Sequence, residues 1–375
     1  MTDVRAYRAD PRTLKGVGSR DTGRIRTCAR ALAGMQKEAV IQYGPTGSVW
    51  RLVCDEGPWL NGSDLAPFPL AFFAAGAAAS FISAFLSESG DRGIRVDTLG
   101  LVQDNFFTME GSAVKGTMVA GVLPTELRLS VSGAAEGAVF SDIAAVALRD
   151  RSPVESCLRQ SLSSSFAVRA NDMDLVWPDQ AGATVAGIAD PAVAFGQLKP
   201  LSNDGGQLIR KRSDDAVESL GGAVGLAAEQ KRTVHVRTDA RLRDDGLKSI
   251  IVQCIRPAGS RFEFLSDDSR AMGGHERAPC GLVYFSAGVA FCFMTQIGRF
   301  AQITKQQLAG YRIVQDTAFR LARNCTACAS AVETLVCLDS AETQDRSIRL
   351  VRMAEQTCYI HAAYRTPTKT ECALK

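Results

Sequence analysis

Two stretches of the chain are apolar almost without a break, while the sequence around them alternates. Pro67–Leu86 and Pro279–Phe300 are each long enough for a buried helix of about 20 residues. Each is entered through a proline at a first-turn position, where a missing N–H costs nothing. Around the first run, the short apolar runs Ala39–Tyr43, Ser48–Cys54, Val96–Val102, Val114–Gly121 and Thr125–Ser132 predict strands. Leu127, Leu129 and Val131 share one face of the last. A second helix is predicted from about Gly137 to Ala147, and a short helical piece around Cys157. Around the second run the plan recurs. Thr233–Arg237, Ser249–Ile255 and Arg261–Leu265 predict strands before it; Tyr311–Phe319 and Val332–Leu338 follow, and then a helix over Ala341–Gln356.

The residues repeat as well as the pattern. Sliding the chain by 212 positions matches Gly62 with Gly274, Ala66 with Ala278, Pro67 with Pro279, Leu70 with Leu282 and Phe73 with Phe285. It also matches Ala75 with Ala287, Gly76 with Gly288, Ala78 with Ala290 and Phe81 with Phe293. So constant an offset predicts an internal duplication. Within it, Ser80 stands where the second copy has Cys292, and Cys157 in SPVESCLRQ echoes Cys358 in MAEQTCYIH. The expected organisation is a loose lead-in over 1–24, a first domain over 25–170, a linker over 171–230 rich in Gly, Asp, Pro and charge, and a second domain over 231–375.

Composition narrows the class. A chain of 375 residues with 46% hydrophobic and 22% charged content suits two or three globular domains. A net charge of +3, with only Arg210-Lys211-Arg212 clustered, gives no electrostatic case for nucleic acid. The two apolar runs are rich in Gly, Ala and Ser and lack basic flanks, so core helices are expected rather than membrane spans. The N-terminal MTDVRAYRADPRTLKG has no apolar h-region, and the eleven cysteines are irregularly spaced. A cytoplasmic protein with free thiols is therefore expected, not a disulfide scaffold. Cys325 and Cys328 have C-x-x-C spacing, but no second pair accompanies them, and neither a metal nor a cofactor is expected.

The candidate chemistry lies in Gly273-Gly274, Ala278-Pro279 and Ala287-Gly288-Val289-Ala290-Phe291-Cys292, and in Ala354-Glu355-Gln356-Thr357-Cys358. These residues resemble the OsmC/Ohr family of thiol-dependent hydroperoxide reductases, over about 25–170 and 230–370. The resemblance implies an α+β fold of two OsmC-like halves, each an antiparallel sheet on a long buried helix. Family members are intertwined homodimers, so it implies an intramolecular pseudo-dimer here, possibly assembling further. It implies a small-molecule hydroperoxide substrate, Cys292 as the peroxidatic thiol and Cys358 as the resolving one, closing a disulfide that an external dithiol or lipoyl-type reductant reopens.

One departure bears on mechanism. The peroxidase branch has a glutamate ten residues before the reactive cysteine, holding an arginine against it; here Leu282 occupies that place, and Leu70 in the other half. Cys292 is expected about thirteen residues into its helix, past the turn where the dipole stabilises a thiolate. A cation is then expected from elsewhere: His275 first, with Arg241, Arg243 and His361 as alternatives. Ser80 and Cys157 are expected to complete the scaffold. Two other functions compete: a cysteine-nucleophile hydrolase or lyase in small-molecule catabolism, and a non-enzymatic binder of an apolar ligand at the interface between the halves.

Overall fold

The computed structural model describes residues 4–14, 18, 24–177, 187–201, 207–213, 230–320 and 326–375. They form a mixed α+β fold in which two large sheets enclose two long helices. Seven α-helices occur in the described residues: α1 (Pro69–Asp91), α2 (Gly137–Val146), α3 (Pro153–Leu158), α4 (Ala192–Gly196), α5 (Gly281–Ile303), α6 (Gln344–Thr357) and α7 (Tyr359–Arg365).

Both sheets take strands from both sides of the 171–230 segment. The first runs Tyr7–Ala9, Ser48–Cys54, Lys37–Tyr43, Arg24–Ala31, Leu308–Arg320, Val332–Ser340, Ser164–Ala170, Met173–Leu175. The second runs Ile209–Ser213, Arg261–Ser266, Lys248–Arg256, Gln230–Leu242, Val96–Gly111, Thr125–Gly133, Thr370–Leu374. The antiparallel seam in the first sheet joins Arg24–Ala31 to Leu308–Arg320; in the second it joins Gln230–Leu242 to Val96–Gly111. Each sheet also has one parallel pair, Val332–Ser340 beside Ser164–Ala170 and Thr125–Gly133 beside Thr370–Leu374.

An aspartate is bound by arginine across each seam. Asp104 accepts from Arg237 Nε at 2.8 Å and Nη2 at 3.1 Å, and also from Arg128 Nη2 at 2.6 Å. Asp316, 212 positions on, accepts from Arg26 Nε at 2.7 Å and Nη2 at 2.6 Å. These are bidentate guanidinium–carboxylate pairs, the strong form of the ion pair.

α1 and α5 pass against each other in the core, and residues matched at the offset of 212 positions meet at the crossing. A Cβ on Gly76 would lie 2.5 Å from the backbone nitrogen of Phe285, and one on Gly288 would lie 2.6 Å from that of Phe73. Gly76 and Gly288 are one matched pair of the repeat and Phe73 and Phe285 another, so the contact is reciprocal. The two phenylalanine rings themselves lie 5.3 Å apart between centroids, tilted at 39° to each other. By length and composition alone both helices would pass for membrane spans, but their most apolar windows are 89% and 100% buried within the protein.

Several boundaries differ from the sequence expectation. α1 starts at Pro69 rather than Pro67, because Phe68 precedes a proline and is held extended at φ −73°, ψ 158°. The strand expected at Val114–Gly121 shrinks to Val119–Val122, since Ser112–Thr117 is a turn closed by Thr117 N–H on the Ser112 carbonyl at 3.0 Å. The lead-in is not wholly loose: Tyr7–Ala9 pairs with Val49–Arg51. The Arg24–Ala31 and Thr370–Leu374 strands went unread.

Candidate functional site

Cys292 lies midway along α5 with its side chain at a cavity of about 530 Å³. The floor is apolar, with Trp59, Phe68 and Pro69. The wall is polar and comes from four elements: Glu56 from the loop before α1, Arg232 from the Gln230–Leu242 strand, Thr295 and Gln296 from α5, and Tyr359 from α7. Thr295 Oγ1 donates to Glu56 Oε1 at 2.6 Å. Burial pushes the Glu56 carboxyl up, against the opposing pull of Lys37 and that hydrogen bond. Arg299, two turns beyond Cys292 on the same helix face, is buried and donates from Nη1 to Gln296 Oε1 at 3.1 Å. Burial first, and then the charge of Arg232, bring its pKa down to about 10. Arg232 Nε is buried and without a hydrogen-bond partner among the described residues.

Cys358 ends α6 and caps α7, with φ −76° and ψ 119°. Its thiol is fully buried and within hydrogen-bonding reach of Cys292. The backbone N–H groups of His361 and Ile360 point at its sulfur, and His361 Nδ1 lies 3.2 Å from it. Burial, and after it the neighbouring Cys292 thiol, hold the Cys358 pKa well up. Burial, aided by Arg365, brings His361 down to about 3, so the imidazole is neutral. Its Nε2 has no hydrogen-bond partner among the described residues.

A second cavity, of about 550 Å³, surrounds Ser80. Ser80 Oγ lies 3.0 Å from Ser152 Oγ. Ser152 caps α3 at φ −85°, ψ 115°, with its hydroxyl accepting from Glu155 N–H at 3.3 Å. Ser83 Oγ donates to Asp268 Oδ1 at 2.5 Å, as Thr295 does to Glu56, and Lys248 Nζ reaches Asp268 at 2.7 Å. The arrangement is that of the thiol cavity with hydroxyls in place of sulfurs. At matched positions, however, Gln296, Arg299, Tyr359 and His361 face Ala84, Ser87, Pro153 and Glu155.

Of the residues expected at the site, the structure brings together Cys292, Cys358 and His361. It does not bring the others. Cys157 is not the counterpart of Cys358: that place is held by Ser152, five residues earlier, and Cys157 is buried beside Tyr364, its pKa pushed up to about 12 chiefly by burial. His275 is exposed on the loop after Arg270–Met272, the 3-10 turn that borders the Ser80 cavity. Arg241 and Arg243 are exposed too, Arg243 paired with Asp245 at 2.9 Å. His361, being neutral and set against Cys358, is not the cation sought for Cys292. Among the described residues, Lys231, Arg232 and Arg256 line the cavity that Cys292 borders, and Arg299 interacts with Cys292 through its charge. Arg299 was legible from its spacing along the helix; Arg232 arrives from a distant strand and left no local signal. Cys325 lies outside the described residues, so its C-x-x-C partnership with Cys328 is not described. Among the described residues no cluster of three or more His, Cys, Asp or Glu is placed to hold a metal.

No protein-family model matches the chain, and no curated protein matches it. Among solved structures, an OsmC-like hydroperoxide resistance protein from Jannaschia sp. CCS1 is similar at 21% identity, over 34% of this chain and 83% of that one, with a TM-score of 0.20. An organic hydroperoxide resistance protein OsmC from Legionella pneumophila is similar at 18% identity, over 34% of this chain and 94% of that one, with a TM-score of 0.26.

Proposed function

We propose that this chain is a thiol-dependent reductase of organic hydroperoxides, built as an intramolecular pseudo-dimer with one working site. The observation that carries the reading is the pairing of a cavity-facing Cys292 with Cys358, in an arrangement that the other cavity repeats with Ser80 and Ser152. Only the thiol pair can cycle between reduced and disulfide states. The reciprocal glycine contacts of α1 and α5, and the strands exchanged between halves, support the pseudo-dimer.

In this reading the Cys292 sulfur attacks the distal oxygen of the hydroperoxide. The O–O bond breaks, an alcohol leaves with the proton, and Cys292 becomes a sulfenic acid. Arg232 and Arg299 supply positive charge beside the attacking sulfur. Cys358 then attacks the sulfenic sulfur, the S–O bond breaks, water leaves and a Cys292–Cys358 disulfide remains. An external dithiol, free or lipoyl-type, returns both thiols by exchange. Glu56 does not replace the glutamate missing at Leu282, because Asp268 plays its part at the cavity that has no thiols; both belong to the scaffold.

Stoichiometric cumene hydroperoxide tests this. Two thiols should be lost per chain, and peptide mapping should find Cys292 joined to Cys358. Cys358→Ser should stop at the sulfenic acid, Cys292→Ser should not react, and Arg232→Met should slow the first step. A persistent acyl or alkyl adduct on Cys292 with a carbon substrate, without any disulfide, would instead establish the hydrolase or lyase. Ligand binding unchanged in Cys292→Ser, with no oxidation, would leave an apolar binder.

A further inference from the structure

We infer that His361 is the proton acceptor for Cys358 when that thiol closes onto Cys292. The inference rests on the two-cysteine reading of the site but not on which oxidant loads Cys292. His361 Nδ1 sits 3.2 Å from the Cys358 sulfur, inside a pocket formed by the rings of Phe166, Phe293 and Tyr364. The ring is completely buried and does not border the cavity, so it meets neither substrate nor solvent. Two functions remain for a polar group there: shaping the core, or serving the sulfur it touches. An apolar ring would shape the core without leaving Nε2 buried and unpartnered, which costs free energy.

The comparison within the chain favours the second function. Counting three residues from each cap, His361 corresponds to Glu155. Glu155 turns away from its cap hydroxyl and accepts from Thr370 Oγ1 at 2.7 Å. The basic nitrogen is placed against the cap side chain only where that side chain is a thiol.

The chemistry closes without further reagents. In the tautomer this role requires, Nδ1 accepts the Cys358 S–H and the neutral ring carries its own proton on Nε2. As the sulfur attacks Cys292–SOH, Nδ1 takes the Cys358 proton, the S–S bond forms and the S–O bond breaks. The departing hydroxide takes that proton from Nδ1 and leaves as water, and the ring ends as it began. Burial lowers the imidazole pKa to about 3, so the resting ring is neutral, and because a lasting imidazolium is disfavoured there the proton passes through Nδ1 in concert with loss of hydroxide.

The test uses the full chain and loads Cys292 in two ways, with cumene hydroperoxide or with 5,5′-dithiobis(2-nitrobenzoate). With the second reagent the first thiolate released reports loading of Cys292, and a second release from the same site reports attack by Cys358, each assigned on its own peptide. In His361→Phe the loading step should keep its wild-type rate while closure slows by about 100-fold, the lower range for loss of a proton acceptor. The sulfenic acid should accumulate and be trapped by dimedone. His361→Asn keeps a hydrogen-bonding group near the Nδ1 position but has no basic nitrogen, and it should close as slowly as His361→Phe. It also carries the test if the phenylalanine variant does not fold. Closure at the wild-type rate in either variant overturns the inference. If cumene hydroperoxide leaves Cys292 untouched but the disulfide reagent shows fast closure in wild type and slow closure in the variants, the peroxidase reading fails and the role of His361 stands. Absence of any second release from wild type overturns both.

Discussion

The helix crossing permits a prediction whose sign differs between chemically identical substitutions. Gly76, Gly288 and Gly90 all become alanine. A Cβ at Gly76 or Gly288 would sit 2.5 or 2.6 Å from backbone nitrogen of the opposite helix, against the 3.4 Å or more of ordinary contact; at Gly90 nothing lies within 4 Å. α1 and α5 would have to part by nearly an ångström, and since the obstacle is backbone, no rotamer change relieves it. Overpacking of that kind costs up to about 3 kcal/mol, from which the helix propensity gained on replacing glycine subtracts about 1 kcal/mol. A net loss of about 2 kcal/mol is expected at each crossing site, and a gain of a few tenths to about 1 kcal/mol at Gly90. The double variant Gly76→Ala/Gly288→Ala should cost less than the sum, because one separation of the helices accommodates both methyl groups. Urea denaturation followed by circular dichroism measures all four. If Gly76→Ala and Gly288→Ala differ in sign, the crossing is not reciprocal; if the double variant is strictly additive, the two clashes are not one.

Two further predictions follow from the matched cavities and seams. The variant Ser80→Cys/Ser152→Cys, built where the hydroxyl oxygens are 3.0 Å apart, should form a disulfide under the same mild oxidation that is proposed to join Cys292 to Cys358. If its two new thiols stay free after the native pair has closed, the sites are not geometric equivalents. Asp104 tests the seam through pH. Burial pushes this carboxyl up, but Arg237, His235 and Arg128 outweigh it and hold the pKa at about 2, below the unfolded value of 3.8. A depressed folded pKa contributes stability that is complete above the unfolded pKa and disappears as pH falls through the folded one. The stability difference between wild type and Asp104→Asn should therefore be constant above about pH 5 and shrink between about pH 4 and pH 2. Urea midpoints across that range check it, and an undiminished gap near pH 2 refutes it.

What could be read in the sequence was local or periodic. The two long helices were legible from unbroken apolar runs, and the residues that meet where they cross from a constant offset, because both leave a regular pattern along the chain. The pairing of strands distant in the chain was not legible, since nothing in Arg24–Ala31 announces that its neighbour is Leu308–Arg320 rather than a strand nearby in the chain. The miss at Ser152 had a different origin. Cys157 drew attention as the nearest thiol, whereas what the fold repeats is the capping position, and a hydroxyl fills it as well as a sulfur. The same comparison separates scaffold from chemistry within one chain. Lys37 and Lys248, Glu56 and Asp268, and Thr295 and Ser83 appear at both cavities, so they serve what both cavities have in common, the closing of each loop onto its helix. Gln296, Arg299, Tyr359 and His361 accompany only the two sulfurs; the matched positions beside Ser80 and Ser152 hold Ala84, Ser87, Pro153 and Glu155. A residue that the fold does without at one end is not required by the fold at the other, and its presence there calls for a chemical reason.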